Sequence, residues 1–262
     1  MRILISLFFL LITTSSFAVT FEGKFIQGSF ILGKTEPGSE VFIDKKKVKV
    51  THDGYFVFGL GRDRKNDVVI TINKKKIVKK VYKRKYNIQR IDGLEEKKVT
   101  PPEEVYERIK RENGWIGEVR AINSDLTFFA KKFIVPVENS IITGVYGSQR
   151  ILNGKPKWPH YGLDFAADEG TEIKAMLNGT VTLAEPDLFY TGGTLIFDHG
   201  HGISTLYMHM KEILVKKGQE VKQGDIIGTV GSTGRATGAH LDVRLNWFQT
   251  RLDPATVLNI NN

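Results

Sequence analysis

Three short segments of this chain place histidine and aspartate side chains where they could bind a metal ion and move protons. His160 and Asp164 lie four residues apart, and His209 ends an alternating run further along. His240 and Asp242 begin a second alternating run. A catalytic zinc ion needs three protein ligands of this type, an open position for water and an acid or base nearby. The sequence therefore predicts a mononuclear metal site.

The elements that must position these groups are β-strands. From residue 240 to residue 247, polar side chains alternate strictly with apolar ones, and this period of two predicts a strand with one buried face. If the segment around residue 160 is extended, His160 and Asp164 point the same way, and Gly162 between them leaves space. The run from Thr205 to His209 likewise predicts a strand, with Thr205, Tyr207 and His209 on one face.

Asp242 has a second interpretation. Arg244 lies on the same face of the predicted strand and could form an ion pair with Asp242, which would leave the metal short of a ligand. Arg244 could equally hold a carboxylate of a substrate. His199 and His201 also have the spacing of a metal pair, but they fall near a predicted turn around Gly200, where polar residues are common. We interpret that pair as structural.

The region from about residue 134 to residue 254 resembles the lysostaphin-type (LytM-type) zinc endopeptidases, which cut peptide cross-bridges in bacterial peptidoglycan. Several ordered motifs coincide, so the resemblance is more specific than one short pattern. The motifs are His160-x-x-x-Asp164, Tyr207-Met208-His209, the glycine-punctuated run 218–228, Gly231-Ser232-Thr233-Gly234 and His240-x-Asp242.

The resemblance implies a role for each site residue. His160, Asp164 and Asp242 would bind Zn²⁺, while His209 and His240 would be catalytic and the substrate would be cross-linking peptide of peptidoglycan. Asp242 stands where the family usually has a metal-binding histidine. Two carboxylates and one imidazole form a harder, more anionic ligand set, which could shift the preference toward other divalent ions.

Residues 1–18 have the features of a secretory signal peptide. One arginine precedes a short apolar run, and Ser16 and Ala18 occupy the −3 and −1 positions of a cleavage site. We expect export to the periplasm or cell envelope; the alternative is an uncleaved membrane anchor. The sequence has no cysteine, which excludes disulfides, thiol catalysis and cysteine-ligated metal.

Residues 19–98 predict a small β-sandwich that resembles immunoglobulin-like modules, because short strands alternate with turns. The module is basic, with 20 lysine and arginine residues against 10 aspartate and glutamate residues. Residues 45–85 could therefore bind an anionic envelope polymer or lipid, or form only a solvated surface. No nucleic-acid-reading motif is present. The expected strands are Phe25–Leu32, Glu40–Ile43, Lys47–Val50, Tyr55–Phe58, Val68–Ile72 and Ile77–Tyr82.

Residues 99–127 predict a connector whose helix begins near Thr100 and ends near Asn113-Gly114. Residues 128–262 then form the lysostaphin-type domain, with a predicted hairpin of Thr194–Asp198 and Ile203–His209. The expected fold is mainly β: an N-terminal sandwich, a helical connector and a C-terminal antiparallel β metallopeptidase domain with an active-site groove.

Two other classes of function are compatible with this sequence. One is a catalytically impaired envelope protein of the same fold, which binds the cell wall or regulates another wall hydrolase. The other is a lipoyl- or biotinyl-type carrier domain, which shares the glycine-punctuated turns of residues 218–228 and in which Lys174 would be the modified lysine. A carrier needs neither clustered histidine and aspartate residues nor a signal peptide, so we favour the hydrolase.

Overall fold

A computed structural model describes residues 18–93 and 96–258. The predicted mainly β fold is confirmed: two β-rich parts are joined by a helical connector. The expected signal peptide lies outside the described residues except for Ala18. Within the described part of the chain, no helix is both long enough and apolar enough to span a bilayer.

The N-terminal part is a sandwich of two antiparallel sheets, with strand orders β1-β2-β5 and β4-β3-β6-β7. Alternate residues of each strand point inward, so Ile31 and Phe56 from one sheet share a core with Val41 and Ile70 from the other. The strand predicted to begin at Phe25 begins instead at Phe30. The strands are β1 Thr20–Glu22, β2 Phe30–Lys34, β3 Val41–Ile43, β4 Lys46–Val48, β5 Tyr55–Gly59, β6 Val68–Ile72 and β7 Lys75–Lys79.

An eighth strand leaves the sandwich. Strand β8 (Ile88–Ile91) falls within the range expected for the N-terminal module. It pairs in parallel with Gln149–Leu152 of the C-terminal part, and Gln149 lies opposite Ile88. This pairing carries the chain from the sandwich to the edge of the C-terminal domain.

The connector contains the short helix α1 (Glu96–Val99), a 3₁₀ turn at Glu103–Val105 and the helix α2 (Tyr106–Arg120). The prediction that the helix would end near Gly114 is wrong. Glu112 is buried and accepts hydrogen bonds from Arg108 and from the backbone N–H of Phe189, which fixes the helix on the C-terminal part. Packing of this kind outweighs the roughly 1 kcal/mol by which a helical glycine is disfavoured.

The C-terminal part is built on an eight-stranded sheet of order β18-β14-β15-β16-β20-β12-β9, with β21 paired to β20. A smaller sheet, β13-β19-β17, packs beside it, and β11 extends the β10-β8 pair. The predicted hairpin is β15 and β16. The strands are β9 Ile141–Gly144, β10 Gln149–Leu152, β11 Lys155–Pro156, β12 Leu163–Ala166, β13 Glu172–Lys174, β14 Gly179–Leu188, β15 Gly192–Gly200, β16 Ile203–Met210, β17 Glu212–Ile213, β18 Glu220–Val221, β19 Ile226–Thr229, β20 His240–Trp247 and β21 Thr250–Leu252; helix α3 is Ala255–Leu258.

The predicted site lies at the centre of the large sheet. Strand β20 lies between β12 and β16, and Asp164 of β12 is directly opposite Asp242 of β20. Leu241, Val243 and Leu245 are fully buried on the other face of β20. This apolar face fixes the register, since a slip of one residue would move every side chain to the opposite face.

Candidate metal centre

His160, Asp164 and Asp242 meet at one point on the polar face of the sheet. The two aspartates are cross-strand neighbours, and His160 lies in the segment that leads into β12. His160 Nε2 lies 3.1 Å from Asp164 Oδ1, and His160 Nδ1 lies 4.0 Å from Asp242 Oδ2. Two backbone hydrogen bonds hold residue 160 in place: its N–H donates to the Ser148 carbonyl, and its carbonyl accepts from the Gly147 N–H.

The three side chains have the properties of a ligand set. All three are at least 94% buried, and their ligand atoms lie within 4.8 Å of one another. Both ring nitrogens of His160 and Oδ1 of Asp164 have no hydrogen-bond partner among the described residues. A buried polar atom without a partner is costly, and a cation bound by one ring nitrogen of His160 and by Asp164 Oδ1 would satisfy those two atoms. The residues present therefore fit a divalent metal ion.

Two glycines make the room that the carboxylates occupy. A Cβ at position 144 would lie 2.1 Å from Oδ2 of Asp164, and a Cβ at position 162 would lie 1.9 Å from Oδ1 of Asp242. Neither distance is possible for real atoms. Gly162 therefore leaves space, as expected from the sequence, and the side chain that occupies this space is that of Asp242.

Each carboxylate also faces a guanidinium. Arg244 Nη2 lies 3.0 Å from Asp242 Oδ2, and Arg150 Nη2 lies 3.5 Å from Asp164 Oδ2. Burial by itself raises the pKa of Asp242, but Arg244 and His160 outweigh it and hold this pKa well below its usual range. The ion pair considered from the sequence is thus present, and Asp242 belongs to the three-residue cluster as well.

His209 reaches this site by a break in the strand, and the prediction that Thr205, Tyr207 and His209 share one polar face is wrong. Met208 is opposite Asp242, so Tyr207 points to the other face, where its hydroxyl accepts a hydrogen bond from the Met176 N–H. Regular alternation would send His209 the same way. Its left-handed backbone, with φ of 64°, breaks that alternation, and His209 lines the cavity beside Asp164.

Backbone carbonyls orient the two candidate catalytic histidines. Nδ1 of His209 lies 2.8 Å from the carbonyl oxygen of Thr233, and Nδ1 of His240 lies 2.8 Å from that of Gly238. Each contact assigns the hydrogen to Nδ1 and leaves Nε2 as the acceptor. The ring centroids are 4.8 Å apart. Burial lowers the pKa of His209 to about 4, so its ring is neutral at neutral pH.

A cavity of about 300 Å³ adjoins these histidines. Asp164, His209 and His240 line it, and β8 supplies part of its wall. A larger cavity of about 1000 Å³ lies elsewhere, beside Phe30 and Phe133, and contains none of the predicted site residues. The chemistry therefore identifies the smaller cavity as the candidate groove.

Several polar residues of this groove were absent from the sequence-based predictions. Gln89, Arg150 and Arg235 line the cavity, and Arg235 also lies over the ring of Tyr190. Arg150 lies in the groove because β10 pairs with β8. This is a long-range contact, and the local sequence contains no signal for it. The position of Arg235, between the glycine motif at 231–234 and His240, could have indicated that this residue lies near the site.

His199 and His201 are structural, as interpreted from the sequence. His199 lies in β15 rather than in the turn, and it contacts the Asn178 carbonyl through Nδ1 and Thr205 Oγ1 through Nε2. His201 packs its ring on Phe129, with centroids 4.7 Å apart. In the described ranges, His160, Asp164 and Asp242 are the one group arranged to hold a metal.

The comparisons with known proteins fall on the same part of the chain. Residues 158–254 match the model of peptidase family M23. The peptidoglycan DD-endopeptidase ShyA of Vibrio cholerae is 42% identical over 87 residues, which are 33% of this chain and 20% of that protein. An uncharacterised metalloprotease of Haemophilus influenzae is 37% identical over 99 residues, or 38% of this chain and 21% of that protein. The matched segment is thus about a fifth of these relatives.

One solved structure is similar over nearly the whole chain. A putative peptidase M23 from Pseudomonas aeruginosa aligns with a TM-score of 0.69 and 26% identity, covering 90% of this chain and 95% of that one. The similarity therefore extends to the N-terminal part and the connector as well as to the residues around the site.

Proposed function

We propose that the protein is a metal-dependent endopeptidase that hydrolyses peptide cross-links of bacterial peptidoglycan, and the premise is the match of residues 158–254 to the model of peptidase family M23. The observation that carries the proposal is the buried cluster of His160, Asp164 and Asp242, whose ligand atoms lie within 4.8 Å of one another beside a cavity that Asp164 lines. Similarity to the peptidoglycan DD-endopeptidase ShyA supports the same class of substrate.

In the proposed mechanism, His160, Asp164 and Asp242 hold the divalent cation, for which Zn²⁺ is the first candidate. When bound, such an ion polarises a scissile carbonyl and activates water for attack. The ionised state of Asp242, maintained by Arg244, keeps this carboxylate available as a ligand. The two glycines at positions 144 and 162 keep the carboxylates in place.

His209 and His240 are the proposed proton carriers. A neutral His209, with its hydrogen on Nδ1, can accept a proton at Nε2 as a general base. His240 is held in the same tautomer and is only partly buried, so it can exchange protons with solvent as well as with substrate. Together the two rings would take a proton from water and deliver one to the departing amine.

The site of action that we propose is the cell envelope, in the periplasm, reached by export and cleavage after Ala18. Peptidoglycan is found there, and the Vibrio cholerae relative is a peptidoglycan DD-endopeptidase. The mature chain should then begin at Val19. Mass spectrometry of the envelope fraction would identify this terminus, whereas an intact Met1 terminus would argue against cleavage.

The test of the proposed function is release of cleaved muropeptides from purified sacculi. The mature protein should release these muropeptides. Release should stop when a chelator removes the metal, and it should resume when Zn²⁺ is added back. A matched control is the Asp164→Asn variant, in which an amide of the same shape replaces the carboxylate that contains the partnerless Oδ1. Equal release by this variant and by the unmodified protein would contradict the proposal.

One observation favours a second function, that of a catalytically impaired protein that binds the wall. Arg150 and Arg244 face both candidate ligand carboxylates, so the site is already charge-compensated. Such a protein would bind sacculi without cleaving them and would give the same result with and without chelator. The muropeptide experiment therefore separates the two functions.

A further inference from the structure

Arg244 makes a two-point contact with a candidate metal ligand. Its Nη2 donates to Asp242 Oδ2 at 3.0 Å, and its Nε contacts Oδ1 at 3.4 Å. Asp242 Oδ2 is also the oxygen that faces His160, with 4.0 Å between it and Nδ1. The oxygen nearest to the histidine is therefore the one that the guanidinium binds most closely.

The other ligand carboxylate is arranged differently. Asp164 Oδ1, 3.1 Å from His160 Nε2, has no hydrogen-bond partner among the described residues. Arg150 faces Oδ2 instead, at 3.5 Å. A cation can thus use Oδ1 of Asp164 without disturbing Arg150. At Asp242 it must share or displace the contact with Arg244.

We propose that Arg244 sets the metal affinity of the site by competing with the cation for the carboxylate of Asp242. The guanidinium acts as an internal counter-ion when no metal is bound, because a buried carboxylate without a partner is strongly unfavourable. A bound cation must replace that stabilisation and also tolerate a positive charge beside it. A ligand shifts an equilibrium only by its differential affinity for the two states, so this competition lowers the apparent affinity for metal.

This inference rests on the proposed metal site and goes beyond it. A histidine at position 242 would give the guanidinium no carboxylate to bind. The aspartate and Arg244 therefore act as a unit, in which a more anionic ligand is balanced by a fixed positive charge. The consequence is specific: the effect of removing Arg244 must depend on which residue occupies position 242.

The experiment is a double-mutant cycle on the mature protein, with Zn²⁺ affinity measured by competition with a chelator and no substrate present. Arg244→Gln should tighten Zn²⁺ binding about 10-fold or more. Asp242→His should bind Zn²⁺, and adding Arg244→Gln in that background should change the affinity less than about 3-fold. These fold changes correspond to coupling energies in the range that adjacent charged groups show.

Two further variants control the cycle. Arg251→Gln removes a nearby positive charge whose guanidinium lies over the Tyr161 ring, and its affinity for Zn²⁺ should match that of the unmodified protein. Arg244→Lys keeps the charge and should stay within about 3-fold of the unmodified protein. If Arg244→Gln alone does not fold, two other comparisons complete the test. The first compares Asp242→His with the double variant, which has no buried carboxylate at position 242. The second compares Arg244→Lys with the unmodified protein.

The proposal is overturned if Arg244→Gln leaves the affinity unchanged, weakens it, or tightens it equally in both backgrounds. It is overturned as well if the unmodified protein binds no Zn²⁺. Because no step of this measurement involves peptidoglycan, a cycle with the expected coupling in a protein that releases no muropeptides would contradict only the proposed hydrolysis.

Discussion

Gly162 leaves the space that the carboxylate of Asp242 occupies: a Cβ at position 162 would lie 1.9 Å from Asp242 Oδ1. The relationship is one of shape rather than of backbone conformation, since residue 162 is not among the glycines with positive φ. A single methyl group at this position would therefore displace a candidate metal ligand, and it would also lie 2.8 Å from the carbonyl oxygen of Val243.

Gly162→Ala should reduce bound metal and muropeptide release together, because Asp242 can no longer reach its position beside His160. The matched control is Gly114→Ala in helix α2, where a Cβ would meet nothing within 4 Å among the described residues. Metal content and sacculus digestion of the two variants can be measured in parallel. Full metal content in Gly162→Ala would show that Asp242 is not a ligand.

His209→Asn should keep the metal and lose hydrolysis by about 10²-fold to 10⁴-fold, the range for removal of a general acid or base. Asparagine tolerates the left-handed backbone of this residue better than alanine does. His209→Ala should therefore be less stable than His209→Asn by about 1 kcal/mol in chemical denaturation, with the same loss of hydrolysis. Hydrolysis by His209→Asn at the rate of the unmodified protein would remove His209 from the mechanism.

The buried histidines make stability fall in acid. Burial lowers the pKa of His199 to about 4, well below that of an unfolded histidine, so the unfolded state binds more protons between these values. The stabilisation is complete above about pH 6.5 and is lost as the pH falls toward 4, by roughly 3 kcal/mol for this residue. His199→Asn should flatten this slope of unfolding free energy against pH. An unchanged slope would mean that His199 is not the group responsible.

The basic N-terminal module should bind sacculi or anionic lipid vesicles through charge. Lys74, Lys75 and Lys76 are exposed, and replacing all three with glutamine in the full mature chain should weaken binding and its dependence on salt. A charge-matched control replaces the exposed lysines 216, 217 and 222 of the C-terminal part. Equal binding by both triple variants at low salt would exclude the module as an electrostatic tether.

The sequence predicted the parts of this fold that depend on local pattern. The alternation from His240 to Trp247 predicted β20, and its buried apolar face explains why Asp242 and His240 lie on the other side. The six strands expected in the sandwich appear within a few residues of their predicted bounds, apart from the first, which begins five residues late.

What the sequence could not predict depends on contacts between distant segments. The face of His209 follows from one left-handed residue, which no periodicity signals. The pairing of β8 with β10 brings Gln89 and Arg150 to the groove, and neither residue belongs to a motif. The choice between ion pair and ligand for Asp242 was likewise undecidable from spacing, because the structure places Asp242 both against Arg244 and in a group of residues that could hold a metal.

The most direct test of the account is the metal content of the purified mature protein, measured by elemental analysis after dialysis against Zn²⁺ and then against buffer. We predict one ion for each chain of the unmodified protein, none for Asp242→Ala and one for Asp242→His, in which an imidazole replaces the carboxylate. A folded, unmodified protein that retains no metal, or an Asp242→Ala variant that retains a full equivalent, would contradict the claim that His160, Asp164 and Asp242 form a metal centre.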